Sequence, residues 1–178
     1  MPELVIRAAA ADDAERIAVL AAATFPLACP PSTTPEAQQA FIAEHLSAER
    51  FAAYVGDPER AVLVAEASDG AMLGYAMLIA GDPSDADVAA AVAERPAIEL
   101  SKFYASPTVH GAGVAASLMQ AVVDVARATG ATVCWLGVNE ENERAQRFYA
   151  KHGFRQVGRK RFRLGDRWED DHVLALPL

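Results

Sequence analysis

Two apolar runs, AVLVAEA at 61–67 and LGYAMLIA at 73–80, flank Ser68-Asp69-Gly70. Asp-Gly supplies the positive backbone angles of a tight turn, so the spacing predicts an antiparallel hairpin. The chain beyond residue 96 is of the opposite kind. AIELSKFYA (97–105) reads as a strand, 113–129 as a helix, ATVCWLGV (131–138) as a buried strand and 139–152 as another helix. A strand–helix–strand unit makes a parallel pair. A chain holding both devices is confined to α/β folds with a mixed sheet.

The rest of the chain fits around that core. Residues 4–7 open a first strand, and Asp12 is the expected N-cap of a helix carrying Ile17, Leu20, Ala21 and Phe25. FPLACPPSTT (25–34) reads as a loop stiffened by proline. Thr34-Pro35-Glu36 starts a second helix, lined by Phe41, Ile42, His45 and Leu46, and a shorter one is expected over 48–54. Residues 81–96 read as a loop or a short surface helix. Alternation in 97–105 sets Ile98, Leu100 and Lys102 against Glu99, Ser101 and Phe103. Gly130 and Gly153 stop the last two helices, and FRQVGRKRFRL with DHVLALPL forms a closing antiparallel pair around Gly165-Asp166. No repeat or linker divides the chain, so 1–178 is read as one domain.

Charge and cysteine count exclude several functions. A net charge of −8 argues against nonspecific nucleic-acid binding and favours cationic substrates. Cys29 and Cys134 make neither a disulfide framework nor a zinc spacing, so no metal is expected and the reading is cytoplasmic. No signal peptide is evident, and no apolar run reaches the roughly 18 residues of a membrane span.

The functional signal is VHGAGVAASLM (109–119), a glycine turn feeding a helix. Such a turn can serve packing alone, or hold phosphate on successive N–H groups at a helix N-terminus. A P-loop is excluded because no GK[ST] comes after the turn. Gly111, Gly113 and Ala116 satisfy a dinucleotide fingerprint, with Glu140 at a passable distance for a ribose acid. In that fold, however, the first glycine comes directly off the strand, and here SPTVH intervenes.

A third reading uses more of the chain. His110-Gly111-Ala112-Gly113-Val114-Ala115 resembles the pyrophosphate loop Q/R-x-x-G-x-G/A of the GNAT superfamily of acetyl-CoA-dependent N-acetyltransferases, with His110 in place of Gln or Arg. WLGVNEENERAQRFYAKHGF (135–154) resembles its second signature, E-x-N-x-x-A-x-x-F-Y-x-x-x-G-F. The resemblance implies a mostly antiparallel central sheet flanked by helices. It implies acetyl-CoA as cosubstrate, with its diphosphate on 110–116 (Ala116 included) and its pantetheine arm along the backbone of Phe103, Tyr104 and Ala105 and near Asn142. It implies Tyr149 as the acid that protonates the departing thiolate; the plain alternative is a core aromatic. Glu99, on the strand leading to the acetyl group, is the expected general base, or else a solvated strand glutamate.

ATFPLACP, IELSKFYA and FRLGDRWEDDHVLALPL are similar in layout to bacterial spermidine/spermine N-acetyltransferases. A polyamine is therefore the favoured acceptor among small-molecule amines, with Glu169, Asp170 and Asp171 to attract it. Residues 25–31 and the second helix, His45 included, should border its pocket. Arg159, Lys160, Arg161 and Arg163 read as an exposed, charge-blunted edge. Protein N-termini or lysines are the alternative acceptors, and a non-catalytic coenzyme A-binding module is the alternative class. Dimers are common in the superfamily, and nothing in the sequence marks an interface.

Overall fold

A computed structural model describes residues 3–109 and 113–178 of the chain. The elements run β1 (Leu4–Ala8), α1 (Ala14–Ala28), α2 (Pro35–His45), α3 (Ala48–Gly56), β2 (Arg60–Ala67), β3 (Met72–Ala80), α4 (Ala86–Ala91) and β4 (Ala97–Ala105). They continue with α5 (Val114–Ala128), β5 (Val133–Asn139), α6 (Glu143–Lys151), β6 (Arg155–Leu164) and β7 (Arg167–Pro177). The strands form one sheet in the order β1-β2-β3-β4-β5-β7-β6. Among the described residues only β4 and β5 pair in parallel, across the α5 crossover. This is the mixed, mostly antiparallel α/β fold expected.

Helices cover both faces. On one, Leu118, Met119, Val122 and Ala126 of α5 and Tyr149 of α6 pack on Leu63, Leu78, Ile98, Leu100, Cys134 and Leu136. On the other, Ile17, Leu20 and Phe25 of α1 and Phe51 of α3 pack on Val62, Val64, Tyr75 and Met77. The neighbouring α4 covers Ala97, Val133, Trp135 and Val173. Successive residues of one strand, such as Val62, Leu63 and Val64, serve opposite cores, as the pleat requires.

Three local expectations change. Asp13, not Asp12, secures the entry to α1: its carboxylate accepts from the Ala10 N–H at 2.7 Å and from two Arg7 nitrogens at 2.7 and 3.0 Å. Arg7 also reaches Glu66 at 2.6 Å, and this clasp holds Asp13 down to about 2. FPLACPPSTT is not all loop, because α1 runs on through Pro26 to Ala28. A proline so near a helix end forfeits one terminal hydrogen bond and leaves the preceding turns intact.

The third change moves side chains between faces. Met77 pairs with Lys102 but Leu78 with Leu100, so Ser101 is an extra residue in β4. Such a bulge breaks strict alternation. Beyond it Phe103 joins the α5 core and Tyr104 the α1 core. Lys102 leaves the face of Ile98 and Leu100, and its Nζ lies 5.6 Å from the centre of the Tyr54 ring of α3.

Candidate active site at a split in the sheet

The parallel pairing of β4 with β5 ends after three residue pairs, Ala97–Val133, Ile98–Cys134 and Glu99–Trp135. β4 nevertheless stays with β3 as far as Ala105, and β5 stays with β7 as far as Asn139. The sheet therefore opens into a wedge beyond Glu99, and backbone groups of β4 face a gap instead of a partner strand. A cavity of about 650 Å³ occupies the wedge. Its walls take residues from both faces, so it passes through the sheet.

On the α5 face the walls are Val109, Gly113, Val114, Ala115, Ala116, Asn142, Ala145, Phe148 and Tyr149. Gly113 caps α5 with φ +75°, a left-handed conformation open to glycine at little cost. The N–H groups of the first turn of α5, which an α-helix leaves without intrahelical partners, make this mouth electropositive. His110, Gly111 and Ala112, the rest of the expected phosphate loop, lie outside the described residues. Asn142 is the N-cap of α6, its Oδ1 accepting from the Ala145 N–H at 3.1 Å, while the residue also lines the cavity. The residue thus starts α6 and borders the cavity. Tyr149 is edge-on to Phe148, Phe154 and Phe103, with centroids 5.5, 5.7 and 6.2 Å away. Burial pushes its hydroxyl well above the usual phenol range. It is thus both a core aromatic and a wall of the cavity.

The opposite mouth is built differently. Thr24, Phe25 and Cys29 from the end of α1, Phe41 and Leu46, Glu99, Lys102 and Tyr104 of β4, and Lys160, Phe162, Glu169 and Asp171 of the β6–β7 hairpin enclose it. Phe25 and Phe41 stack at 4.5 Å. Burial raises Glu99, against the pull of the Lys160, Lys102 and Arg60 cations. Burial likewise lifts Asp171 to about 6, with Lys160 opposing and Glu169, Asp170 and Glu140 adding to the rise. Lys102 is lowered to about 8 by burial, with Glu99 resisting. Desolvation raises Cys29 to about 11, so its thiol stays protonated.

Several sequence expectations need correction here. His45 is not among the lining residues; its ring leans on Phe41 at 4.6 Å, and Phe41 and Leu46 form the wall instead. Asp170 is exposed, while Glu169 and Asp171 face the cavity. Arg159, Arg161 and Arg163 are exposed as a charged edge should be, but Lys160 points inward with Phe162 and Leu164. Period-two alternation of RKRFRL, ending on an apolar residue, carried that signal. Glu140 pairs with Arg159 at 2.6 Å, away from any ribose role. No group of three His, Cys, Asp or Glu among the described residues could hold a metal, and no helix among them is long and apolar enough to cross a membrane.

Comparison with known proteins identifies relatives of this architecture. The model of the Acetyltransferase (GNAT) family matches residues 14–154. An uncharacterized N-acetyltransferase of Mycobacterium tuberculosis is 49% identical over 166 residues, covering 93% of this chain and 98% of the relative. Among solved structures, the PaiA N-acetyltransferase of Thermoplasma acidophilum in complex with coenzyme A superposes with a TM-score of 0.77 at 18% identity, over 99% of each chain. A spermidine N-acetyltransferase chimera from Vibrio cholerae and hSSAT does so with a TM-score of 0.68 at 20% identity, over 98% of this chain and 95% of that one.

Proposed function

Because the chain belongs to the GNAT family and is an acetyl-CoA-dependent N-acetyltransferase, we propose that it transfers acetyl directly to a primary amine of a small cationic acceptor, polyamines being the first class to test. The observation that carries this reading is the through-sheet cavity: a helix N-terminus and exposed strand backbone on one face, paired acids on the other. One mouth suits a polyanionic carrier and the other a cationic amine. Residues 1–178 are taken as a single catalytic domain, since every strand among the described residues belongs to the same sheet.

In this reading the diphosphate sits on the backbone of Gly113, Val114, Ala115 and Ala116 together with His110, Gly111 and Ala112. The pantetheine arm runs along Phe103, Tyr104 and Ala105, as a substitute for the strand that β4 lacks there. Asn142 spends its Oδ1 on the helix cap and offers its NH₂ to the arm.

Tyr149 meets the leaving sulfur. A thiol has a pKa near 8.5, well below that of this buried phenol, so full proton transfer to the thiolate is uphill. Tyr149 acts chiefly as a hydrogen-bond donor to developing negative charge, a smaller contribution than complete protonation.

The amine needs more help. An alkylammonium with a pKa of about 10.4 costs about 4–5 kcal/mol to deprotonate at pH 7. Glu99 takes that proton; its elevated pKa brings it closer to the amine than an exposed glutamate would be. Glu169 and Asp171 receive the remaining cationic charge of the acceptor.

Thiol release from acetyl-CoA over a panel of polyamines, aminoglycosides, amino acids and peptides tests the reading. Turnover with di- or polyamines is the expected result, and turnover confined to peptides would replace the acceptor class. Thermal stabilisation by coenzyme A without any turnover would remove the assignment of Glu99 and Tyr149.

A further inference from the structure

Lys160 takes an unusual path for a residue of an edge strand. Its Cα pairs with Asp171 of β7, and its stem then runs over β5 at Gly137. A Cβ placed on Gly137 would lie 2.4 Å from Lys160 Cε and 3.1 Å from Asp171 Oδ2. Only the missing side chain opens this route. The ammonium ends 3.8 Å from Asp171 Oδ2 and 5.5 Å from the centre of the Phe162 ring, with the side chain 18% exposed.

A second cavity, of about 290 Å³, lies beside the first, and Glu99, Trp135 and Lys160 help to line it. Glu99 and Lys160 belong to the walls of both cavities. Both residues therefore lie where the two cavities adjoin, and Glu99 pairs with Trp135 of β5, two residues before Gly137.

We propose that Lys160, threaded across Gly137 and paired with Asp171, is a positioning residue that acts through Glu99, the acceptor's base. It supplies the counter-charge of Glu99 from β6, across the shared cavity wall and without a direct ion pair. The inference rests on the assignment of Glu99 as general base. The sequence supports the arrangement in one respect: Gly137 occurs in an otherwise bulky strand, VCWLGVN, where a glycine has no turn to make.

Other charges also face Glu99. Lys102 stands on its own strand and Arg60 on β2, and Asp82 and Asp85 from the segment before α4 share the second cavity. Lys160 in turn faces Asp171, which feels Glu169, Asp170 and Glu140. Of the cations, Lys160 exerts the largest pull on Glu99.

The test is the pH dependence of kcat/KM for an acceptor. A base must be deprotonated to act, so the rate rises with pH through the Glu99 pKa. Removing a nearby cation moves that limb to higher pH. Lys160→Met is expected to shift it up by about one pH unit, and Lys160→Arg to restore its position. Gly137→Ala should shift it in the same direction by displacing the lysine stem, with coenzyme A affinity unchanged in all three. Asp171→Asn should keep a limb, because that limb belongs to Glu99.

An unmoved limb in Lys160→Met, with Glu99→Gln still crippled, overturns the proposal, as does disappearance of the limb in Asp171→Asn. A fully active Glu99→Gln instead overturns the assignment of Glu99 on which the proposal stands.

Discussion

The two mouths of the cavity solve different problems with different parts. The α5 mouth uses backbone: a left-handed glycine, the opening turn of a helix and a strand without its neighbour. The opposite mouth uses ionisable side chains drawn from β4, β6 and β7, with an aromatic lid from α1 and α2. Backbone groups carry no proton that titrates near neutrality, so the first mouth can grip a constant ligand under changing conditions. In the proposed reading the second handles a proton, and burial there raises Glu99 and Asp171 and lowers Lys102. In that same reading, binding and chemistry are thereby separated across one sheet.

Substitutions should respect that division. The largest effect is expected from Glu99→Gln, a fall in kcat of about 100-fold or more, with the dissociation constant for coenzyme A unchanged by calorimetry. A matching loss of coenzyme A binding would break the comparison. Tyr149→Phe is expected to lower kcat by about 10–100-fold, because a stabilising donor is lost while the thiolate remains a tolerable leaving group. Gly113→Ala places a Cβ in the left-handed region at about 1–2 kcal/mol. It should raise the KM for acetyl-CoA by about 10-fold and leave the acceptor KM alone.

The smallest kinetic effect should come from outside both mouths. Asp13→Asn breaks the clasp with Arg7 and the Ala10 N–H, and it should lower stability by about 2–3 kcal/mol without altering either KM. The folded-state pKa of Asp13 is depressed from 3.8 to about 2. The stability it confers is therefore complete above about pH 4 and is lost as pH falls towards 2. Acid denaturation monitored by circular dichroism should show the wild type losing its lead over the variant as pH falls across that window.

The same division governs what could be read in the sequence. The α5 mouth is written locally, because Gly113 and the run from Asn142 to Tyr149 each lie within a few residues of the elements they serve. Hairpin turns at Gly70 and Gly165 are equally local, both adopting positive φ. The acid-and-lysine mouth is assembled from residues far apart in the chain, and its geometry depends on which way each strand turns its side chains. One extra residue at Ser101 reverses that direction for Lys102. Lys160 sits among three arginines that point outward, and the path across Gly137 exists only once β5, β7 and β6 lie side by side. The early end of the β4–β5 pairing was likewise invisible, since unpaired and paired strand residues share one composition.

That early end has a kinetic consequence. Under the proposed reading, an opening that pierces the sheet, unlike a one-sided pocket, lets donor and acceptor arrive from opposite directions, so neither must depart before the other enters. Initial-velocity plots should intersect, and isotope in free coenzyme A should not scramble into acetyl-CoA until an amine is present.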